Sequence, residues 1–122
     1  MANRRPRTAA LVAAGWTAFV WATRVANAVG DDDAGAGEIA GSVLLAVSFL
    51  TLAALVAFTA VRRRELLFRS VLALSVWTVA VWAVRTVDIV GSEHGVGFVV
   101  VHLALAVISV AACVWALREL GR

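Results

Sequence analysis

The chain has 122 residues, 62% of them hydrophobic, with eleven basic and eight acidic side chains, and its mean hydropathy is +0.92. Apolar usage this far above the half typical of soluble domains excludes an ordinary soluble fold and leaves no length for a separate soluble domain. The basic excess would suggest nucleic acid in a soluble protein, but every basic residue is Arg, and Arg4, Arg5, Arg7, Arg62, Arg63, Arg64, Arg69, Arg118 and Arg122 all flank apolar runs, as cytoplasmic arginines do under the positive-inside rule, which argues against nucleic-acid binding.

A short basic lead containing the only proline is followed by an apolar run over residues 9–29. At about 1.5 Å per residue the run is roughly 30 Å long and crosses a hydrocarbon core. Ala26-Asn27-Ala28 resembles a signal-peptidase site, but the run exceeds the length of a signal core. Residues 30–37 (Gly-Asp-Asp-Asp-Ala-Gly-Ala-Gly) break the helix as a turn. Its aspartates and Glu38 read as a wet loop without the spacing of a calcium site.

The second span covers residues 38–61 and stops at Arg62-Arg63-Arg64-Glu65. The third covers 66–90, with Arg69 near its start placed to snorkel to the headgroups. Within it Trp77-Thr78-Val79-Ala80-Val81-Trp82-Ala83-Val84-Arg85-Thr86-Val87-Asp88-Ile89-Val90-Gly91 repeats Trp16 to Gly30 with eight identities in fifteen positions. Two tryptophans and an arginine recur inside apolar sequence, which reads as an internal duplication. Gly91 to Gly95 form the second acidic-to-neutral loop, and the fourth span covers 96–117, ending in Trp115, an interfacial belt residue, and Arg118. Gly35-x-Gly37 matches Gly95-x-Gly97, and Leu45-Ala46-Val47 matches Leu105-Ala106-Val107 after a one-residue gap.

The expectation is an all-α protein of four transmembrane helices, built as two tandem hairpins over residues 9–61 and 66–117. Both termini and the Arg62-Arg63-Arg64 turn are expected in the cytoplasm of a cell-membrane protein. The halves enter from the same side, so their pseudo-two-fold axis should follow the membrane normal.

Thr17, Val20, Trp21, Arg24, Asn27 and Ala28 fall on one helical stripe, and Thr78, Val81, Trp82, Arg85, Asp88 and Ile89 on its counterpart. Arg24 and Arg85 lie about 7 to 8 Å below the outer boundary. His102 and Ser42 lie at similar depth on the fourth and second spans, so Arg24, Asn27, Ser42, Arg85, Asp88 and His102 are expected to form one polar layer. Arg85 and Asp88, at i and i+3, are the natural ion pair. The layer reads as a site for a small anionic or carboxylate-bearing ligand, or as structural polar links between helices. Arg24 tilts the balance towards a ligand, since only neutral Asn27 stands beside it.

Trp16, Trp21, Trp77 and Trp82 sit near mid-span, either as core packing between hairpins or as an aromatic wall for a ligand. His102 lacks the second axial histidine that haem would need. The single cysteine, Cys113, allows no internal disulfide and reads as a small packed apolar residue. No catalytic motif, metal-ligand spacing or cofactor motif is present, and lysine is absent. The chain is expected to be neither an enzyme nor a metalloprotein.

The Trp-x4-Trp-x2-Arg-x2-Asn/Asp pattern followed by an acidic turn resembles small four-helix integral membrane proteins of actinobacterial type, a group that implies no particular activity. Small multidrug transporters share the size and helix count, but they rely on a glutamate in helix one, where this chain has Arg24. The leading expectation is a non-enzymatic membrane protein acting as a homo-oligomer or accessory subunit, with small residues such as Gly41, Ala46, Ala53, Ala104 and Ala112 at close-approach positions. The alternative is a minimal transporter or channel that binds a small anion in the outer polar layer.

Overall fold

In lipid an apolar segment has no water to satisfy its backbone, so it must close its hydrogen bonds internally as a helix. The computed structural model, which describes residues 4–30, 35–91 and 95–121, has four such helices: α1 Arg4–Val29, α2 Ala36–Arg62, α3 Leu67–Gly91 and α4 Val96–Leu120. Each is long and apolar enough to cross a membrane, and no strand occurs among the described residues. The chain is a multi-pass, all-α membrane protein. Asp31, Asp32, Asp33, Glu93 and His94, which belong to the two acidic loops, lie outside the described residues.

The helices overrun their expected ends. α1 includes Pro6 in its first turn, where a missing backbone N–H costs nothing. α2 starts before Glu38 and holds it in its first turn, where a carboxylate complements the helix dipole. Gly35 and Gly95 occupy the N-cap positions of α2 and α4 with extended backbones. Only Arg63 leaves helical conformation between α2 and the 3-10 turn Arg64–Leu66. Its Nε donates to Glu65 Oε1 at 2.6 Å, which closes this tight connection on the surface.

Packing follows the chain around a square, with α1 and α3 each lying against both α2 and α4. α1 and α3 are therefore diagonal. Ala9, Ala10, Ala13, Ala14, Thr17, Val20 and Trp21 are buried on α1, and on α3 their counterparts Ser70, Val71, Leu74, Ser75, Thr78 and Trp82 are buried in the same register. On α2 the buried stripe includes Ala46, Phe49, Ala53 and Val56; on α4 it is Ala106, Ser109, Cys113 and Ala116, again position for position. Small residues dominate because packing in lipid gains little from apolar transfer and must gain from close approach.

Two cross-helix hydrogen bonds share this logic. Trp16 Nε1 donates to Ser109 Oγ on α4 at 2.9 Å, and Trp77 Nε1 donates to Ser48 Oγ on α2, also at 2.9 Å. Each tryptophan thus ties its helix to a helix of the other hairpin.

Candidate functional site

The site begins with the tryptophan layer beneath it. Trp21 and Trp82, from diagonal helices, are both buried, with ring centroids 6.1 Å apart and planes tilted by 50°. Phe49 from α2 lies flat on Trp21, with centroids 4.2 Å apart and an interplanar angle of 7°. Offset aromatic contact of this kind is worth about 0.5–1.5 kcal/mol beyond area alone. Trp21, Phe49 and Trp82 form an apolar floor across the bundle.

Three residues further along each helix, about 4.5 Å along the axis, stand Arg24 and Arg85, both half-buried. Arg24 Nη1 lies 3.2 Å from His102 Nε2, and His102 Nδ1 lies 2.8 Å from the carbonyl oxygen of Phe98. A carbonyl only accepts and a guanidinium only donates. The hydrogen-bond network therefore assigns His102 as the neutral tautomer, with the proton on Nδ1 and Nε2 accepting from Arg24. The Phe98 ring stacks on the imidazole at 3.9 Å, which holds it in place.

Arg85 is placed differently. Its guanidinium carbon stands 6.0 Å from the centroid of the Trp21 ring, within cation–π range. Its Nε is buried without a hydrogen-bond partner. The expected ion pair with Asp88 is not formed: Asp88 is exposed, and among the described residues the ion pair within reach is Arg63 with Glu65. The i, i+3 spacing permits contact, but the helix turns Asp88 outward while Arg85 folds inward onto the ring. Asp88 acts on Arg85 only through space, and Arg24 and Arg85 repel each other.

The structure thus brings Arg24, Arg85 and His102 together above Trp21 and Trp82. Asn27 is exposed like Asp88, and Ser42 is half-buried on α2. The four tryptophans do not make one wall. Trp16 packs beside Phe19, and Trp77, 38% exposed, reaches the centre only through Phe49. Phe49 is the central residue that sequence reasoning missed, because nothing in the Trp/Arg repeat points to it. Ser48 and Ser109 were also missed, although the interval between them equals that between Trp16 and Trp77.

A second feature lies on the side of the bundle. A groove of about 890 Å³ runs between α3 and α4, lined by Trp82, Thr86, Leu103, Ala106 and Val110, with Trp115, Arg118 and Glu119 at its far end. Among the described residues no group of His, Cys, Asp and Glu is arranged to hold a metal ion.

No family model matches the chain, and neither a curated protein nor a solved structure shows significant similarity to it. The functional reading therefore rests on the site itself.

Proposed function

We propose that the protein is a non-catalytic binder of a small anion, which reaches Arg24 and Arg85 from the outer side of the cell membrane. One observation carries this reading: Arg85 folds onto Trp21 with a buried, unpartnered Nε while Asp88 remains exposed. A purely structural role would pair Arg85 with Asp88, the carboxylate three residues on. Two guanidiniums in the outer half of a bilayer, without an ion-paired acid among the described residues, cost free energy that an anion would offset. The aromatic floor beneath them favours a closed binding site, as in a carrier, over an open channel.

The same reading puts both termini and the Arg62-Arg63-Arg64 turn in the cytoplasm, on the strength of nine flanking arginines. It also takes the two hairpins as a duplication, supported by the matched stripes of buried residues. Cysteines introduced at Asp32 or Glu93 in a Cys113→Ala background should react with an impermeant reagent on intact cells. Reaction only after lysis would reverse the orientation.

Anion binding is tested by the thermal midpoint of the detergent-solubilised protein as chloride, nitrate or sulfate replaces gluconate at constant ionic strength. A bound anion at a hundredfold its Kd stabilises by about 2.7 kcal/mol, a shift of several degrees. Tryptophan fluorescence should change over the same titration. Identical midpoints in all four anions would remove the proposal.

A homo-oligomeric or accessory role is the second reading. α4 supports it as the least buried span, with its face towards the α3–α4 groove uncovered. A stable stoichiometric complex after mild extraction, with no response to anions, would favour this reading.

A further inference from the structure

We infer that the anion site takes a proton together with its anion, and that His102 is where the proton is held. The inference rests on the anion-binding reading above. His102 is the histidine of the site, the residue type that most readily takes up and releases a proton near neutral pH, and its contacts define which of its nitrogens accepts. Nδ1–H is committed to the Phe98 carbonyl, so Nε2 must accept from Arg24. A proton arriving on Nε2 would turn that acceptor into a donor facing a donor.

Two consequences follow from that reversal. Arg24 loses its hydrogen-bond partner and is released to turn its donors elsewhere. His102 becomes a third positive charge beside Arg24 and Arg85, which already repel each other. Three cations with no anion between them disfavour one another. With an anion between the guanidiniums the signs reverse: the anion receives the freed Arg24, and the imidazolium is attracted instead of repelled.

The charged surroundings support this direction. Around His102 the described charged groups at this level are Arg24 on α1 and Arg85 and Asp88 on α3, with Glu38 a turn further out on α2. Asp88 and Glu38 are exposed, and Arg24 is the charged residue in hydrogen-bond contact with the ring. The linked proton therefore moves between solvent and Nε2, with no bond made or broken other than that N–H. Ser42, which occupies the equivalent place on α2, cannot hold such a proton. The pseudo-symmetric site is built to take one proton per anion, on one side only.

Linkage requires reciprocity: if the anion favours the proton, the proton favours the anion by the same factor. Chloride and sulfate serve as probes, since neither changes protonation between pH 5.5 and 7.5. Their affinity, read from tryptophan fluorescence, should rise at least about fivefold from pH 7.5 to 5.5, within the usual span of site-to-site coupling. Calorimetry in two buffers of different ionisation enthalpy should show uptake of a fraction of a proton, up to one, per anion bound. His102→Gln keeps a neutral acceptor for Arg24 and should still bind the probe, but with flat pH dependence and no uptake. His94→Gln should behave like the wild type.

If His102→Gln does not fold, ¹⁵N NMR of the His94→Gln protein, whose one remaining histidine is His102, answers directly. At any one pH the ratio of imidazolium to Nδ1–H imidazole should rise when chloride is added. Chloride binding with pH-independent affinity, or proton uptake persisting in His102→Gln, overturns the inference and leaves the anion site standing. No chloride or sulfate binding at any pH overturns the anion-binding reading itself.

Discussion

The two hairpins bury the same stripes but finish them differently. In the first, Phe49 covers the Trp21 ring face to face. In the second, the residue in the register of Phe49 is Ser109, which turns to Trp16 and has no ring to lay on Trp82. Trp82 instead lines an open groove, and its buried Nε1 finds no partner. The arginines diverge in the same way. Arg24 meets His102 on α4, whereas the equivalent place on α2 holds Ser42 and Arg85 Nε has no hydrogen-bond partner. A shared scaffold therefore carries one satisfied and one unsatisfied half, and the unsatisfied groups are the ones a ligand can use.

The largest expected contrast is at the aromatic floor. Phe49→Ala removes a stacked ring from a fully buried place and should cost about 3 kcal/mol, the low end for such truncations in soluble cores, because apolar transfer contributes little in lipid. Ser109→Ala, at the corresponding position, should cost only about 0.6 kcal/mol, as for an average interhelical hydrogen bond in a membrane. Unfolding midpoints in one detergent would measure both, and equal losses would mean that the halves are not packed as described.

The apolar spans, the two-tryptophan repeat and the shared level of both arginines were legible in the sequence because hydropathy and spacing act locally. Partner choice was not. Spacing alone put Asp88 beside Arg85, but whether a side chain turns to its i+3 neighbour depends on what else it meets, and Arg85 meets a tryptophan from the diagonal helix. Phe49 was invisible for a related reason: a single phenylalanine in an apolar run carries no sign of its position at the centre of the bundle. That His102 lies level with Arg24 followed from counting along the spans, but its hydrogen bond to Arg24 needed the packing of α4 against α1.

Smaller effects sharpen the comparison of the arginines. Ser42→His gives Arg85 the acceptor that Arg24 already has and should stabilise the empty protein by about 0.5 to 1 kcal/mol, while weakening its response to chloride. A destabilising Ser42→His would show that the halves do not superpose at this level. Asp88→Ala should cost about 1 kcal/mol or less, close to Asn27→Ala, since both side chains are exposed. A loss of about 3 kcal/mol or more, the range for a broken buried pair, would restore the Arg85–Asp88 link. Smallest of all is the difference between Ser48→Ala and Ser109→Ala, whose matched tryptophan bonds should make the two losses agree within about 0.5 kcal/mol.

The central claim is that Arg85 is kept for a ligand and not for the fold. The most direct test is Arg85→Leu, with thermal stability measured in gluconate and again in saturating chloride. Removing an unpaired, half-buried cation from the membrane should leave the protein in gluconate as stable as wild type or more so, and should abolish the chloride-dependent rise. A variant that melts several degrees lower in gluconate yet still gains the full wild-type increment from chloride would contradict the account, because Arg85 would then be holding the bundle together and the anion would be bound elsewhere.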